Sequence, residues 1–291
     1  MGQTVLQHSA FSDQHLRAPR PLAKQIPVAA LPSSSARPGA QWIIGGVAIF
    51  AFTAYGTFLY QNYKRSVTIS EHLNVPEDVA DRYDHHAATF DQGLDFAEWC
   101  TGLRDKRKKM MAQAHGQVLE VAAGTGRNFE YYPWNKCRSL TVLDLSQPML
   151  EEAKKKLASS RPKKVDVRFL VQDGSHPIPN PPPRGYDTIT QTMGLCSTPD
   201  PVGLLQNLGR EVNQQTGQIL LLEHGRSYYQ IVNTILDTLA PAHADKHGCW
   251  WNKDIGAIVE KSGLKIVESR RYDLGTTWWY KLRPSLPAVE H

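Results

Sequence analysis

The run Val118-Leu119-Glu120-Val121-Ala122-Ala123-Gly124-Thr125-Gly126-Arg127-Asn128 sets an apolar strand ahead of a turn of small residues and the start of a helix. Such a turn lets backbone approach a ligand closely and points free N–H groups at it. Asp144 stands twenty residues after Gly124, at the end of the next apolar run. A carboxylate there can accept both hydroxyls of a ribose, at about 1.5–3 kcal/mol per charge-assisted contact. Turn, spacing and strand context together point to a nucleoside-containing cofactor. A dinucleotide site needs a third small residue where Phe129 stands, and a phenyl ring blocks close helix–strand packing. S-adenosylmethionine needs no pyrophosphate cradle. Glu120, moreover, can organise the turn and attract the cationic methionine end. The residues favour a methyl donor over a dinucleotide.

Displacement at a sulfonium asks a protein to hold donor and nucleophile about 3 Å apart and to exclude water. A base is required only when the acceptor must first lose a proton. His224, in Glu223-His224-Gly225 after an apolar run, is the candidate base; the alternative is a histidine satisfied within a strand–helix turn. Cys196 could attack a pyrimidine, but that chemistry expects a Pro-Cys pair and Leu195 precedes it. The same stretch lacks the Asn/Asp-Pro-Pro-aromatic loop used on exocyclic amines. His243, Asp245, His247 and Cys249 have a metal-like spacing. Trp250-Trp251 and Trp278-Trp279 read as core or membrane-facing aromatics, with the lining of a lipophilic acceptor pocket as the alternative.

Elements that could position these residues follow from the apolar pattern. Strands are expected at Gln117–Val121, Leu140–Leu143, Val165–Val171, Thr188–Thr192, Gln218–Leu222, Leu264–Val267 and Thr276–Leu282. Helices are expected at Gln147–Ser159, Val202–Asn213 and Asn252–Ser262. Strands alternating with helices imply an α/β fold, a doubly wound Rossmann-like sheet, mostly parallel. Residues 66–116 look helical and charged, and the basic run Lys106-Arg107-Lys108-Lys109 reads as a solvated helix face.

Charge separates this domain from what precedes it. The chain has 291 residues, 33 Lys+Arg, 28 Asp+Glu and a formal charge of +5. Residues 1–65 hold six basic groups and one acid, so the excess lies there and the remaining residues balance. A nucleic-acid binder carries its positive charge on the folded domain, so this distribution argues against nucleic acid as a partner. Trp42 to Tyr60 is free of charge, flanked by aromatic residues and followed by Lys64-Arg65. As a helix it is about 28 Å long, close to the thickness of a bilayer core. The polar, Ser-, Pro- and Arg-bearing stretch before it fits a mitochondrial transit peptide, with an endoplasmic-reticulum signal anchor as the alternative. The expected organisation is a leader over 1–41, a transmembrane helix over 42–60, a juxtamembrane and lid region over 61–116, a catalytic domain over 117–283 and a tail over 284–291. Four cysteines without a CxxC fix no compartment.

Five segments carry a family resemblance: Glu120–Asn128, Asp144-Leu-Ser-Gln-Pro-Met149, Gln172-Asp173-Gly174, Leu221-Leu-Glu-His-Gly225, and Gly248-Cys-Trp-Trp-Asn252 with Asp254-Ile255. With them residues 79–283 resemble class I S-adenosylmethionine-dependent methyltransferases, and most of all the fungal mitochondrial inner-membrane methyltransferase-like proteins of the OMS type. The resemblance implies a seven-stranded sheet with an antiparallel last strand, and S-adenosylmethionine as cofactor. It implies that Glu120, Ala122, Gly124 and Gly126 surround the methionine moiety, Asp144 holds the ribose, Met149 packs nearby and Asp173 meets the adenine amino group. Thr192 would end its strand beside the transferred methyl, and Tyr83-Asp84 would begin a lid. For His243, Asp245, His247 and Cys249 the family position implies, instead of a metal cluster, a substrate-side helix end capped by Asn252, so no metal is expected. Ala122 replaces the first glycine of the common turn, which implies ordinary φ/ψ values there. The implied activity is methyl transfer from an inner-membrane anchor to a small or lipophilic acceptor, quinone-like or thiol. The alternatives are a cofactor-binding assembly or RNA-stability factor with dispensable catalysis, and an RNA or protein methyltransferase.

Overall fold

The computed structural model describes residues 39–160 and 165–285. The expected leader, apart from its last residues, lies outside them, as does the tail from residue 286. The chain divides into two units, one ending at Tyr55 and one beginning at Gly56. Helix α1 (Ala40–His72) runs through this boundary for 33 residues. In the first unit its apolar side chains, Trp42, Ile43, Phe50 and Phe52 among them, stand exposed. Residues 41–72 form a helix long and apolar enough to cross a membrane, its most apolar 18-residue stretch having a mean hydropathy of 1.7. The helix continues through Lys64-Arg65, well beyond the charge-free run.

In the second unit, short helices α2 (Arg82–His86), α3 (Phe90–Cys100) and α4 (Leu103–Met111) precede an alternation of strands and helices. These are β1 (Gly116–Val121), β2 (Cys137–Asp144), α5 (Gln147–Ser160), β3 (Asp166–Val171), β4 (Thr188–Thr192), α6 (Pro201–Glu211) and β5 (Gln218–His224). Helices α7 (Gln230–His247) and α8 (Ile255–Lys261) and strands β6 (Lys265–Tyr272) and β7 (Thr277–Arg283) complete the domain. Seven strands form one sheet in the order β3-β2-β1-β4-β5-β7-β6. The first five are parallel, and β7 runs antiparallel to both β5 and β6.

Alternation with period two sends neighbouring side chains to opposite, helix-covered faces. Leu119, Val121, Ile189, Ile219 and Leu221 join one core with Leu204, Leu205 and Leu208 of α6. Val118, Leu140, Val142, Leu220 and Leu222 join the other with Met110 and Met111 of α4. Helix α6 starts where Asp200 caps it, accepting from Gly203 N at 2.8 Å, with Pro201 supplying the fixed φ of a first turn. The strand order reverses between β1 and β4, and ligands of such sheets bind outside the carboxyl ends at that point. Residues after Val121, Asp144, Thr192 and Glu223 therefore converge on one edge.

Candidate active site

Beyond β1 the chain turns sharply. Ala122, Gly124 and Gly126 all have positive φ, at 51°, 55° and 74°. The ordinary backbone expected at Ala122 is thus not what the structure has. Ala123 N–H must reach Leu143 O at 3.2 Å and Gly124 N–H must reach Asp144 Oδ2 at 2.7 Å. Meeting both bends residue 122 into the left-handed region, where a Cβ costs about 1–2 kcal/mol. Above Gly124 the turn is open, since a Cβ placed there would have no neighbour within 4 Å.

Asp144 ends β2 with Oδ2 on Gly124 N–H and Oδ1 on Ser146 N–H, at 2.9 Å. Burial raises its pKa while these N–H groups oppose the shift. Each oxygen keeps a lone pair for a hydroxyl. Ser146 precedes α5, accepts from Met149 N at 3.3 Å and donates to Asp84 at 2.5 Å, which ties α2 and with it the segment before α2 to this edge. A cavity of about 410 Å³ lies between that segment and Leu145-Ser146. Met149 is buried. Asp173 follows β3, its Oδ1 accepting from Ser175 N at 2.8 Å. Gln191 of β4 is fully buried, and neither of its amide atoms has a partner among the described residues. It lies against Gly194, which also abuts Ala122. An open glycine turn, a carboxylate with free lone pairs and an orphaned amide fit an adenosine-bearing ligand.

Beneath the turn runs a buried polar network. Glu120 accepts from Asn128 Nδ2 and Tyr132 OH, both at 2.9 Å, and burial pushes its pKa up to about 7 against those two bonds. Asn128 also donates to Thr192 Oγ1 at 3.1 Å. Arg107 reaches Thr192 Oγ1 at 2.6 Å, Asn128 Oδ1 at 3.0 Å and Glu98 Oε1 at 3.0 Å. Arg107 is buried, contrary to a wholly solvated basic face. It shares a stripe with Leu103, Met110 and Met111 at helical spacing, and that spacing is the sequence signal for its burial. Arg127 and Lys156 converge on Asp91, so α3 and α5 clamp the turn from outside.

On the other side of β4, Met193 also has a positive φ, 58°, and Glu223 accepts from Gly194 N and Leu195 N at 3.2 and 3.1 Å. This loop carries Cys196 to His224 and Cys249, whose donor atoms all lie within 4.8 Å of one another. His224 Nε2 and Cys249 Sγ share a hydrogen bond of 2.7 Å. A hydrogen bond from Cys249 holds the Cys196 thiol well below its usual range, against burial and with help from His224. Tyr83 covers the cluster, its hydroxyl 2.8 Å from Ser197 Oγ.

A family model for the methyltransferase domain matches residues 92–269. The chain belongs to that family. Its seven-stranded sheet is the class I methyltransferase fold, and the cofactor of this domain is S-adenosylmethionine. Over 230 residues the chain is 36% identical to a Saccharomyces cerevisiae protein, Methyltransferase OMS1, mitochondrial, covering 75% of this chain and 48% of that one. It is 28% identical over 130 residues to human Thiol S-methyltransferase TMT1B, covering 42% of this chain and 51% of that one. The chain thus spans about half the length of each relative. The N-methyltransferase NodS from Bradyrhizobium japonicum, solved with S-adenosylhomocysteine, shares the fold with a TM-score of 0.54 at 14% identity, covering 72% of this chain and all of that one.

Within this methyltransferase domain, Glu120, Ala122, Gly124, Gly126, Asp144, Asp173 and Thr192 fall on one sheet edge, with Tyr83 over it. Glu120 lies under the turn, engaged by Asn128 and Tyr132. The spaced set of His243, Asp245, His247 and Cys249 does not gather. His243 stacks on Trp251 at 3.8 Å, Asp245 pairs with Arg82, and Cys249 turns to His224. Asn252 donates to Asp237 at 2.9 Å, and the cap of α8 is Asp254, which accepts from Ala257 N at 3.0 Å. Trp279 is buried in the core, and Trp278 stacks on Tyr280 with Arg271 over its ring at 3.5 Å. Asn128, Tyr132, Arg107 and Gln191 were not among the expected site residues; Asn128 and the lone amide in the strand Thr-Ile-Thr-Gln-Thr were the visible signals.

Proposed function

We propose that the chain is an S-adenosylmethionine-dependent methyltransferase, anchored in the mitochondrial inner membrane by α1, whose acceptor is a small or lipophilic nucleophile, a thiol ahead of a quinone-like ring. The observation that carries the reading is Asp144, held by the N–H groups of Gly124 and Ser146 beside an open glycine turn. When bound, S-adenosylmethionine supplies a methyl made electrophilic by its sulfonium. Asp144 accepts the ribose hydroxyls, Asp173 faces the adenine edge, and Gly124 and Gly126 let the methionine chain lie against backbone. Glu120, fixed by Asn128 and Tyr132, and Thr192, fixed by Arg107, shape the floor on which the methyl rests. Tyr83 closes over the edge and excludes water. His224 stands where the nucleophilic atom of an acceptor must come, able to hold its proton.

The thiol preference rests on two thiol groups and an imidazole at that point, and the human relative's name carries the same chemistry. The location is supported by the yeast relative's name and by the exposed apolar helix. Full-length protein in detergent should bind S-adenosylhomocysteine by calorimetry. Asp144→Ala should weaken it by roughly 10- to 150-fold, the worth of one charge-assisted contact. Labelled methyl from S-adenosylmethionine should appear on a small alkyl thiol. Undiminished binding by Asp144→Ala would rule out a ribose contact at that carboxylate and, with it, the placement of the cofactor along this sheet edge.

A further inference from the structure

Cys196, His224 and Cys249 come from three separate places: the loop after β4, the end of β5 and the residue following the C-cap of α7. The chain goes to some length to bring them together. Glu223 pins the first loop through Gly194 N and Leu195 N. Trp250 N donates to Cys196 O at 3.1 Å, lacing that loop to the Cys249 segment, and Lys253 Nζ reaches Thr198 O at 2.5 Å. Gly248, with φ of 70°, ends α7 in the left-handed form and turns Cys249 inward. A Cβ at Gly248 would come within 2.8 Å of the Tyr83 ring, so the lid seats on this turn.

We infer that Cys196, His224 and Cys249 form a zinc site whose fourth position takes the acceptor thiol. Two thiolates and one imidazole suit Zn²⁺, and three protein ligands with an open fourth position are the arrangement of catalytic zinc. At zinc bond lengths a tetrahedral centre holds its sulfur and nitrogen ligands about 3.6–3.8 Å apart. The three donor atoms, all within 4.8 Å of one another, bracket those values, and the 2.7 Å contact of His224 with Cys249 need open by about 1 Å. Cys196 and Cys249 are buried and His224 nearly so, so water competes poorly for the ion.

The site lies beside the cofactor edge, because Gly194, two residues before Cys196, packs against Ala122 of the turn. The inference rests on the methyltransferase reading for what happens next. A thiol that coordinates zinc loses its proton, which passes to solvent, and remains a nucleophilic thiolate. Its electron pair forms the new carbon–sulfur bond as the sulfonium's bond to the methyl breaks, that pair staying on the departing sulfur. No oxidant or reductant enters. His224 then holds the ion in place of the acceptor's proton.

The test uses the full-length chain purified in detergent and loaded with Zn²⁺ or Co²⁺ alone. About one zinc per chain is expected in the wild type and in Cys100→Ser, an exposed thiol, and at least a tenfold loss in Cys196→Ser/Cys249→Ser. The cobalt form should show a thiolate charge-transfer band with tetrahedral ligand-field bands, and 2-mercaptoethanol should intensify the former. Zinc no higher in the wild type than in the double variant, or a cobalt spectrum without thiolate charge transfer, overturns the site; a spectrum indifferent to 2-mercaptoethanol overturns the open position. Should the double variant fail to fold, the cobalt spectrum of the wild type still decides. Calorimetry with S-adenosylhomocysteine on the same samples separates the two readings. Zinc held without cofactor binding overturns the methyltransferase reading alone, whereas cofactor binding without zinc overturns this one.

Discussion

Ala122 concentrates the conflict between local preference and site geometry. Its φ of 51° exists because Ala123 and Gly124 must both turn their N–H groups toward β2. Ala122→Gly removes about 1–2 kcal/mol of left-handed strain and returns about 0.4–1 kcal/mol through a freer unfolded chain. A net gain of about 0.5–1 kcal/mol is expected in denaturant unfolding, with S-adenosylhomocysteine binding unchanged or tighter; a net loss would mean the methyl packs usefully against Gly194. Glu120 offers a second prediction. Its folded pKa of about 7 is above that of an unfolded glutamate, so between about pH 5 and 7 the folded state holds a proton that the unfolded state has released. Stability contributed by this group is complete at low pH and is lost as pH rises, at about 1.4 kcal/mol per pH unit. Glu120→Gln lacks that slope, so its unfolding free energy should gain on the wild type steadily from pH 5 to 7. A constant difference between the two would contradict the raised pKa. At this scale the glycine turn and Asp144 were legible because their chemistry is local in sequence. The Cys196, His224 and Cys249 cluster was not, since only the sheet order brings β4, β5 and the end of α7 together.

At the scale of elements, α3 and α4 hold the turn through a buried ion pair. Arg107 and Glu98 are each about 5% exposed and 3.0 Å apart, and Arg127 also bonds Glu98. Such a pair adds little net stability over apolar replacements, but removing one partner strands the other charge at a cost of about 3–5 kcal/mol. Glu98→Ala should therefore unfold at markedly lower denaturant, whereas Glu98→Leu/Arg107→Met should recover most of the loss. Equal destabilisation by both would show that the contacts of Arg107 to Thr192 and Asn128 matter more than its charge partner. The central strands were readable because helices cover both faces of the sheet there, so β1, β4 and β5 are short, nearly continuous buried runs. Thr188–Thr192 has the expected bounds, and β5 and β6 extend further only because they pair along β7. Helix α7 escaped the periodic reading because Pro241 lies inside it and few of its residues are buried. The basic run misled for the opposite reason: three cations mask the one that shares a stripe with Met110 and Met111.

For the whole molecule, the net charge of +5 belongs to residues 1–65, split between the segment that leads into α1 and Lys64-Arg65 within that helix, ahead of a balanced catalytic domain. A positive leader and flank can address a membrane without placing positive charge on the substrate edge. If α1 spans a bilayer, two arginines near the middle of its apolar stretch cost about 2.5–3.5 kcal/mol each. Val47→Arg/Phe50→Arg should then shift the full-length chain from the membrane pellet to the supernatant on alkaline extraction of mitochondria. These side chains are exposed and belong to the unit that ends at Tyr55, which contains none of the cofactor-site residues, so S-adenosylhomocysteine binding by the detergent-purified variant should match the wild type. Retention of the variant in the pellet would mean that something other than burial of this helix in lipid holds the protein there. Wild-type chain found in the endoplasmic reticulum rather than in mitochondria would overturn the mitochondrial anchor proposed above.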